Sequence, residues 1–337
     1  MSYLRGSPMS AEYSSYLHSA KTPVTQGPVS PGLALLGGPP DGPPPEVDAA
    51  FAWLIARSGW GRVVVIGADG SDEYGRYVYR DLPPPHPLAV ATLIFKSRAA
   101  AFEPTVLETV RGADALFIQG GDQWDYVRMW KDTPVQDAIN GLLRRGIPLG
   151  GSSAGLAVLG EFLFSARNGS VSASEALANP YDECVTLDRA FVDSPNLGPP
   201  CAFLRNVVTD THFHDRNRIG RLIAFMARLA QDGWTRAARA IAVDEMTAVL
   251  VEADGIARVV DQRPGASPGS ACFLRAPGPP ETCRPGQPLD YEGISVYQIQ
   301  AGEDGATFDL ASWQGQGGAG YVVSARRGTV CRAVPVE

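Results

Sequence analysis

The chain has 337 residues, enough for one large domain or two, and its 45% hydrophobic and 19% charged content can fill a core. A net charge of −7 argues against nucleic acid or an anionic membrane as the main partner, since both require a basic face. No run of about 18 apolar residues is present to span a bilayer.

Residues 1–31 are polar and aperiodic and are expected to form a flexible arm, with 32–337 as a single domain. The opening segment lacks the continuous apolar stretch of a secretion signal, so a cytoplasmic location is expected. The five cysteines show no CxxC spacing, and isolated thiols are the simpler reading. A Cys272–Cys283 disulfide across a Pro/Gly-rich stretch is the alternative, and would imply export.

GLALLGG reads as a short buried strand, and EVDAAFAWLIARSGWG as a helix ended by glycine. RVVVIG and PLAVATLIF are two more apolar strands. EPTVLETVRGA is helical, and DALFIQGG is a fourth strand. TPVQDAINGLLRRG carries a helix grammar: Thr133 as cap, Pro134 at the first position, Gly146 past the end. IPLGG is the fifth strand. Wholly apolar strands alternating with helices predict an α/β fold, a parallel sheet covered on both faces. Such sheets bind ligands at the carboxyl ends of their strands, where Gly120-Gly121 and Gly150-Gly151 fall. After about residue 240 short β-like runs extend the same domain, and 261–290 reads as a long surface loop.

Chemistry is concentrated in PLGGSSAGLAVLG. A phosphate loop needs a lysine after its last glycine, but Leu156 follows Gly155, and no GxGxxG occurs. Gly151-Ser152-Ser153-Ala154-Gly155 fits GxSxG between strand and helix, which would expose Ser153 on a tight turn. A plain Gly/Ser-rich turn is the bland alternative.

A serine nucleophile needs a base. His18 lies in the arm and His86 in a proline-rich loop, leaving His212 and His214 in VVTDTHFHDRNRIGRL. His212 falls at a second strand-to-helix junction. Two rival readings are a metal site built from His212, His214 and Asp210, and a histidine that only caps the helix. Arg216, Arg218 and Arg221 follow at a helix start, where the macrodipole disfavours cations. Their clustering suits a bidentately held carboxylate, against the alternative of a solvated basic face. The third group of a triad should be a carboxylate: Asp244 or Glu245 at a strand end, with Asp210 and Glu175 as other candidates.

DALFIQGGDQ, GSSAG, DTHFHDRNRIGRL and AVDEMTA, in this order, resemble the cyanophycinases, serine peptidases related to the aspartyl dipeptidases, over roughly residues 32–325. The resemblance implies a three-layer, class I glutamine-amidotransferase-like (flavodoxin-like) parallel-sheet sandwich with extra C-terminal strands. It implies Ser153 as nucleophile, His212 as general base and Glu245 orienting the imidazole. The Gly121 and Ala154 amides would form the oxyanion hole. Gln123, Asp210, Thr211, Arg216, Arg218 and Arg221 would line the substrate pocket, with Thr211 standing where the family has glutamine. The implied reaction releases β-aspartyl-arginine dipeptides from cyanophycin. The alternatives are a dipeptidase for other aspartyl or isoaspartyl peptides and a non-catalytic relative that binds an acidic ligand. No metal or cofactor is implied, and a homodimer is one expectation for this fold.

Overall fold

The computed structural model describes residues 10–19, 25–40, 47–68, 70–261 and 268–333. In chain order its first half runs β1 (Tyr13–Ser19), β2 (Leu33–Leu36), α1 (Asp48–Arg57), β3 (Arg62–Gly67), α2 (Glu73–Arg76), β4 (Ala89–Phe95), α3 (Pro104–Arg111), β5 (Ala115–Ile118), α4 (Gln123–Trp130), α5 (Pro134–Arg144), β6 (Leu149–Ser152) and α6 (Ala154–Ala157). The second half adds β7 (Phe162–Phe164), α7 (Ala173–Ala178), β8 (Leu187–Arg189), β9 (Val207–Asp210), α8 (Ile219–Gln231), β10 (Arg239–Val243), β11 (Thr247–Val251), β12 (Ile256–Asp261), β13 (Ser270–Arg275), β14 (Tyr291–Gln300), β15 (Thr307–Asp309), β16 (Gln314–Gln316), β17 (Ala319–Arg326) and β18 (Thr329–Ala333). Among the described residues no helix is long and apolar enough to cross a membrane.

The α/β class holds, with the strands divided between two mixed sheets. The first has the order β1-β4-β3-β5-β6-β2-β11-β12-β15-β16, and its β4-β3-β5-β6-β2 centre is parallel. The second is β18-β17-β14-β13-β10-β9-β7-β8, parallel only where β9 meets β7 and β10. The division follows from two-residue side-chain alternation. Val63 and Val65 of β3 pack with Phe51 and Leu54 of α1 on one face, while Val64 and Ile66 join Val207, Ile241 and Phe273 of the second sheet on the other. Val208 and Ala242, pointing away from that shared interior, pack on Leu222 and Phe225 of α8. Strands apolar on both faces therefore find a partner layer on each side.

Three local expectations need correction. Tyr13–Ser19, placed in the flexible arm, is an edge strand antiparallel to β4, and its His18 is buried. The rest of that arm through 9, and 20–24, lies outside the described residues. The stretch 261–290, expected as a loop, contains β13, a central strand of the second sheet; residues 262–267 are not described. Cys272 and Cys283 are both buried and unbridged. Thr133 does occupy the N-cap of α5, but its hydroxyl donates to the Trp130 carbonyl instead of capping the helix.

Candidate active site

Strand β6 runs directly into α6, and Ser153 is the joint, with φ 50° and ψ −116°. Its amide donates to the Leu36 carbonyl at 3.1 Å, tying the turn to the end of β2. The flanking glycines are sterically required. A Cβ on Gly151 would lie 2.6 Å from the Gly155 carbonyl, and one on Gly155 would lie 2.1 Å from the Ile118 oxygen at the end of β5. Only residues without side chains let strand, turn and helix approach this closely. Ser152 is fully buried, whereas Ser153 is half-buried and opens onto two cavities.

The Ser153 Oγ lies 2.7 Å from His212 Nε2, and His212 Nδ1 lies 2.7 Å from Glu245 Oε1. A carboxylate at Nδ1 selects the tautomer protonated there, which leaves Nε2 as an acceptor for the serine hydroxyl. His212 follows β9 with φ 45°, and its amide donates to the Gly37 carbonyl at 3.1 Å. Burial pushes its pKa down to about 4; the hydrogen bond with Glu245 opposes this, and the charges of Arg216 and Arg218 add to it. The imidazole is thus neutral near pH 7 and able to take a proton. Glu245 is fixed from its backbone, its amide donating to Asp215 Oδ2 at 2.8 Å. Its Oε1 also accepts from Arg216 Nε at 3.2 Å.

The other carboxylate candidates are engaged elsewhere. Glu175 closes a capping box with Ser172 at the start of α7. Asp210 is clamped by Arg221, which donates through Nε to Oδ2 at 2.9 Å and through Nη2 to Oδ1. Asp244 accepts from His214 Nδ1 at 2.9 Å. The two histidines therefore face different carboxylates and do not converge. Among the described residues no cluster of three or more His, Cys, Asp or Glu side chains is placed to hold a metal ion.

A cavity of about 360 Å³ beside Ser153 is walled by Gln123, Asp210, Thr211 and the three arginines. The arginines are not equivalent. Arg221, on the first turn of α8, is buried and paired with Asp210. Arg216, in the preceding loop, is exposed and bound to Glu245. Arg218, at the N-cap of α8, donates to the Thr211 carbonyl at 2.8 Å and hydroxyl at 3.1 Å, with Asp210 Oδ1 at 3.7 Å. Burial pushes its pKa down to about 10, with Asp210 opposing and Arg221 and Arg216 reinforcing. Arg216 and Arg221 each hold a carboxylate at hydrogen-bond distance, whereas Arg218 meets Asp210 only at 3.7 Å and is the least tightly paired of the three. Gln123, the first residue of α4, donates to the Phe164 carbonyl at 3.5 Å.

Gly121, with φ 155°, lines both cavities next to Ser153. Ala154 opens α6, and a first-turn amide has no acceptor within its own helix. Sequence reasoning missed Gly37 and Gly38. A Cβ on Gly38 would sit 2.7 Å from His212 Nε2 and 2.8 Å from the Ser153 Cβ, so this glycine makes room for their contact. The available signal was a third glycine pair after a buried strand, in GLALLGG.

A parallel α/β core ending in a serine elbow, with a histidine and a carboxylate behind it, defines a serine hydrolase-type site on a class I glutamine-amidotransferase-like architecture. Residues 85–179 match peptidase family S51. The chain is 31% identical over 176 residues to a cyanophycinase of Trichormus variabilis, covering 51% of this chain and 50% of that one. A cyanophycinase of Synechococcus elongatus is 33% identical over 173 residues, covering 51% and 46%. The chain thus spans about half the length of the curated relatives it matches. The crystal structure of a peptidase from an acI-B1 Actinobacterium has the same fold, with a TM-score of 0.53 and 18% identity over 84% of this chain and 98% of that one.

Proposed function

We propose that this protein is a serine peptidase for peptides that carry a free carboxylate beside the scissile bond, with cyanophycin as the first candidate substrate and β-aspartyl-arginine dipeptides as products. The observation that carries the reading is the Ser153–His212–Glu245 hydrogen-bonded chain opening onto the cavity of Arg218. Ser153 Oγ attacks the carbonyl carbon as its proton passes to His212 Nε2. The Gly121 and Ala154 amides receive the oxyanion. Glu245 holds the imidazolium at Nδ1. His212 then protonates the leaving amine, the C–N bond breaks, and an acyl-serine remains. Water, deprotonated by the same imidazole, attacks this ester and releases the acid and free Ser153. Arg218 binds the substrate carboxylate, braced by Thr211, while Arg221 and Asp210 hold the pocket floor and Gln123 borders it.

A dipeptidase for short aspartyl or isoaspartyl peptides is the second reading. It is favoured by Thr211, whose short side chain is spent on Arg218 and leaves more of the pocket open. Incubating the protein with insoluble cyanophycin and weighing the soluble products by mass spectrometry separates the two. Release of β-aspartyl-arginine supports the first reading. Inertness toward the polymer combined with cleavage of β-aspartyl dipeptides would replace it with the second.

A further inference from the structure

The Ser153–His212 pair borders two cavities, and they differ in charge. Adjoining the arginine-lined cavity, and sharing Gly121, Ser153, His212 and Arg216 with it, lies another of about 300 Å³, walled also by Pro39, Ser71, Glu73, Tyr74 and Gln119. Arg216 is already committed to Glu245. Glu73 is half-buried and, among the described residues, its carboxylate has neither a hydrogen bond nor a cation.

The wall carrying Glu73 is rigid. Tyr74 is buried against Phe117, with ring centroids 5.6 Å apart. Gly75 has no room for a side chain, since a Cβ would lie 2.1 Å from Thr92 Oγ1. Asp72 is bound at 2.5 Å to His18, which β1 delivers into the interior. An unpaired carboxylate on a rigid wall of this cavity is complementary to a cation brought by the ligand. Glu73 also lies outside the residues that match the family, 85–179.

We infer that this cavity is a second substrate subsite, in which Glu73 selects a cationic side chain, guanidinium or ammonium, across the scissile bond from the carboxylate at Arg218. The substrate is then dipolar, and the site reads the two charges in the adjoining cavities beside the nucleophile. The inference rests on the peptidase reading above and adds a specificity residue to it.

Two matched probes test it: a trimer of β-aspartyl-arginine units on an aspartate backbone, and the same trimer with neutral citrulline in place of arginine. With a charge-assisted hydrogen bond at stake, wild-type kcat/KM should favour the arginine trimer by about ten- to a hundred-fold. In Glu73→Gln that preference should fall to near unity. Calorimetric binding to Ser153→Ala, with and without Glu73→Gln, should show the same collapse of preference without turnover. An equal arginine preference with and without Glu73, or no preference in the wild type, overturns the inference. Selective binding by Ser153→Ala combined with no hydrolysis of either trimer by the wild type would overturn the peptidase reading and leave the cation subsite standing.

Discussion

His212 and His214 sit two residues apart on one loop, and each meets one of the adjacent carboxylates Glu245 and Asp244 at 2.7 and 2.9 Å. Their protonation nevertheless diverges. His212 is buried, and its carboxylate is shared with Arg216, so burial and two nearby guanidiniums push it down to about 4. His214 is about half-exposed at its side chain, and among the described residues no further cation pairs with Asp244. The hydrogen bond with Asp244 pushes it up to about 10, with Cys272 adding to the effect. Burial alone would raise the Asp244 carboxyl, but hydrogen bonds from His214 and Ser270 hold it low. A histidine–carboxylate pair is thus a base or a fixed cation depending on what else touches the carboxylate. The first pair leaves a neutral ring nitrogen 2.7 Å from the Ser153 hydroxyl. The second clips the 212–216 loop to the end of β10, with the His214 amide also donating to Asp244.

The most decisive way to break this comparison is to delete each ring. His212→Ala and Ser153→Ala should each lower kcat by roughly 10⁴–10⁶, whereas His214→Ala and Ser152→Ala should cost less than about ten-fold. Peptide hydrolysis rates and labelling by a serine-directed phosphonate check this, and labelling at Ser152 would show that the wrong serine had been chosen.

Neutralising the carboxylates should separate the pairs by kind of effect. Glu245→Gln should lower kcat by about 10²–10⁴ through loss of imidazolium stabilisation, with the urea midpoint little changed. Asp244→Asn should do the reverse. Its cost should fall below the roughly 3–5 kcal/mol of a fully buried broken pair, because His214 is exposed and screened by solvent. An Asp244→Asn protein as stable as wild type but inactive would mean that Asp244 acts in the chemistry.

Arg218 contributes at the next scale down. Arg218→Ala should lower kcat/KM by about ten- to a hundred-fold on a β-aspartyl peptide and change little on its amidated analogue. Additive losses in that cycle would return the arginines to the solvated-face reading.

The smallest effects lie in pH dependence. His212 has a folded pKa below its unfolded value of about 6.5, so its contribution is lost as pH falls from there through about 4. His214 has a folded pKa above that value, so its contribution is complete below about 6.5 and is lost as pH rises through about 10. Thermal midpoints should therefore rise across the first window and decline across the second, and His214→Ala should flatten only the decline. Arg216→Ala should move the acid limb of kcat/KM upward by removing a neighbouring cation. An unmoved limb would assign the low pKa of His212 to burial alone.

Much of this site was legible because its signals are local. GSSAG between an apolar run and a helix specifies an elbow, and the backbone clashes at Gly151 and Gly155 explain why no other residue serves there. His212 was legible because the end of a strand is a defined place. The uses of the arginines were not. Whether Arg221 is free or spent depends on Asp210, and that ion pair forms only when α8 packs against β9. The strand Tyr13–Ser19 was hidden because its sequence, YSSYLHS, is half polar, and its pairing comes from backbone groups of a strand 70 to 82 residues away. The division into two sheets was hidden for a related reason. Each strand's apolar pattern shows that both faces are covered without showing by what. Glu73 carries no motif, and only the cavity geometry gives it a role.

The second strand sets a clock. Leu33–Leu36 lies between β6 and β11, and its far partner, Thr247–Val251, leaves the ribosome roughly 210 residues later, about 10–40 s at ordinary synthesis rates. Until then Gly37 lacks the Thr247 carbonyl that its amide reaches at 2.9 Å, and Gly38 lacks the Met246 amide that donates to it at 2.9 Å. Glu245 has not yet been made, so nascent chains carry a serine elbow without its complete partner set.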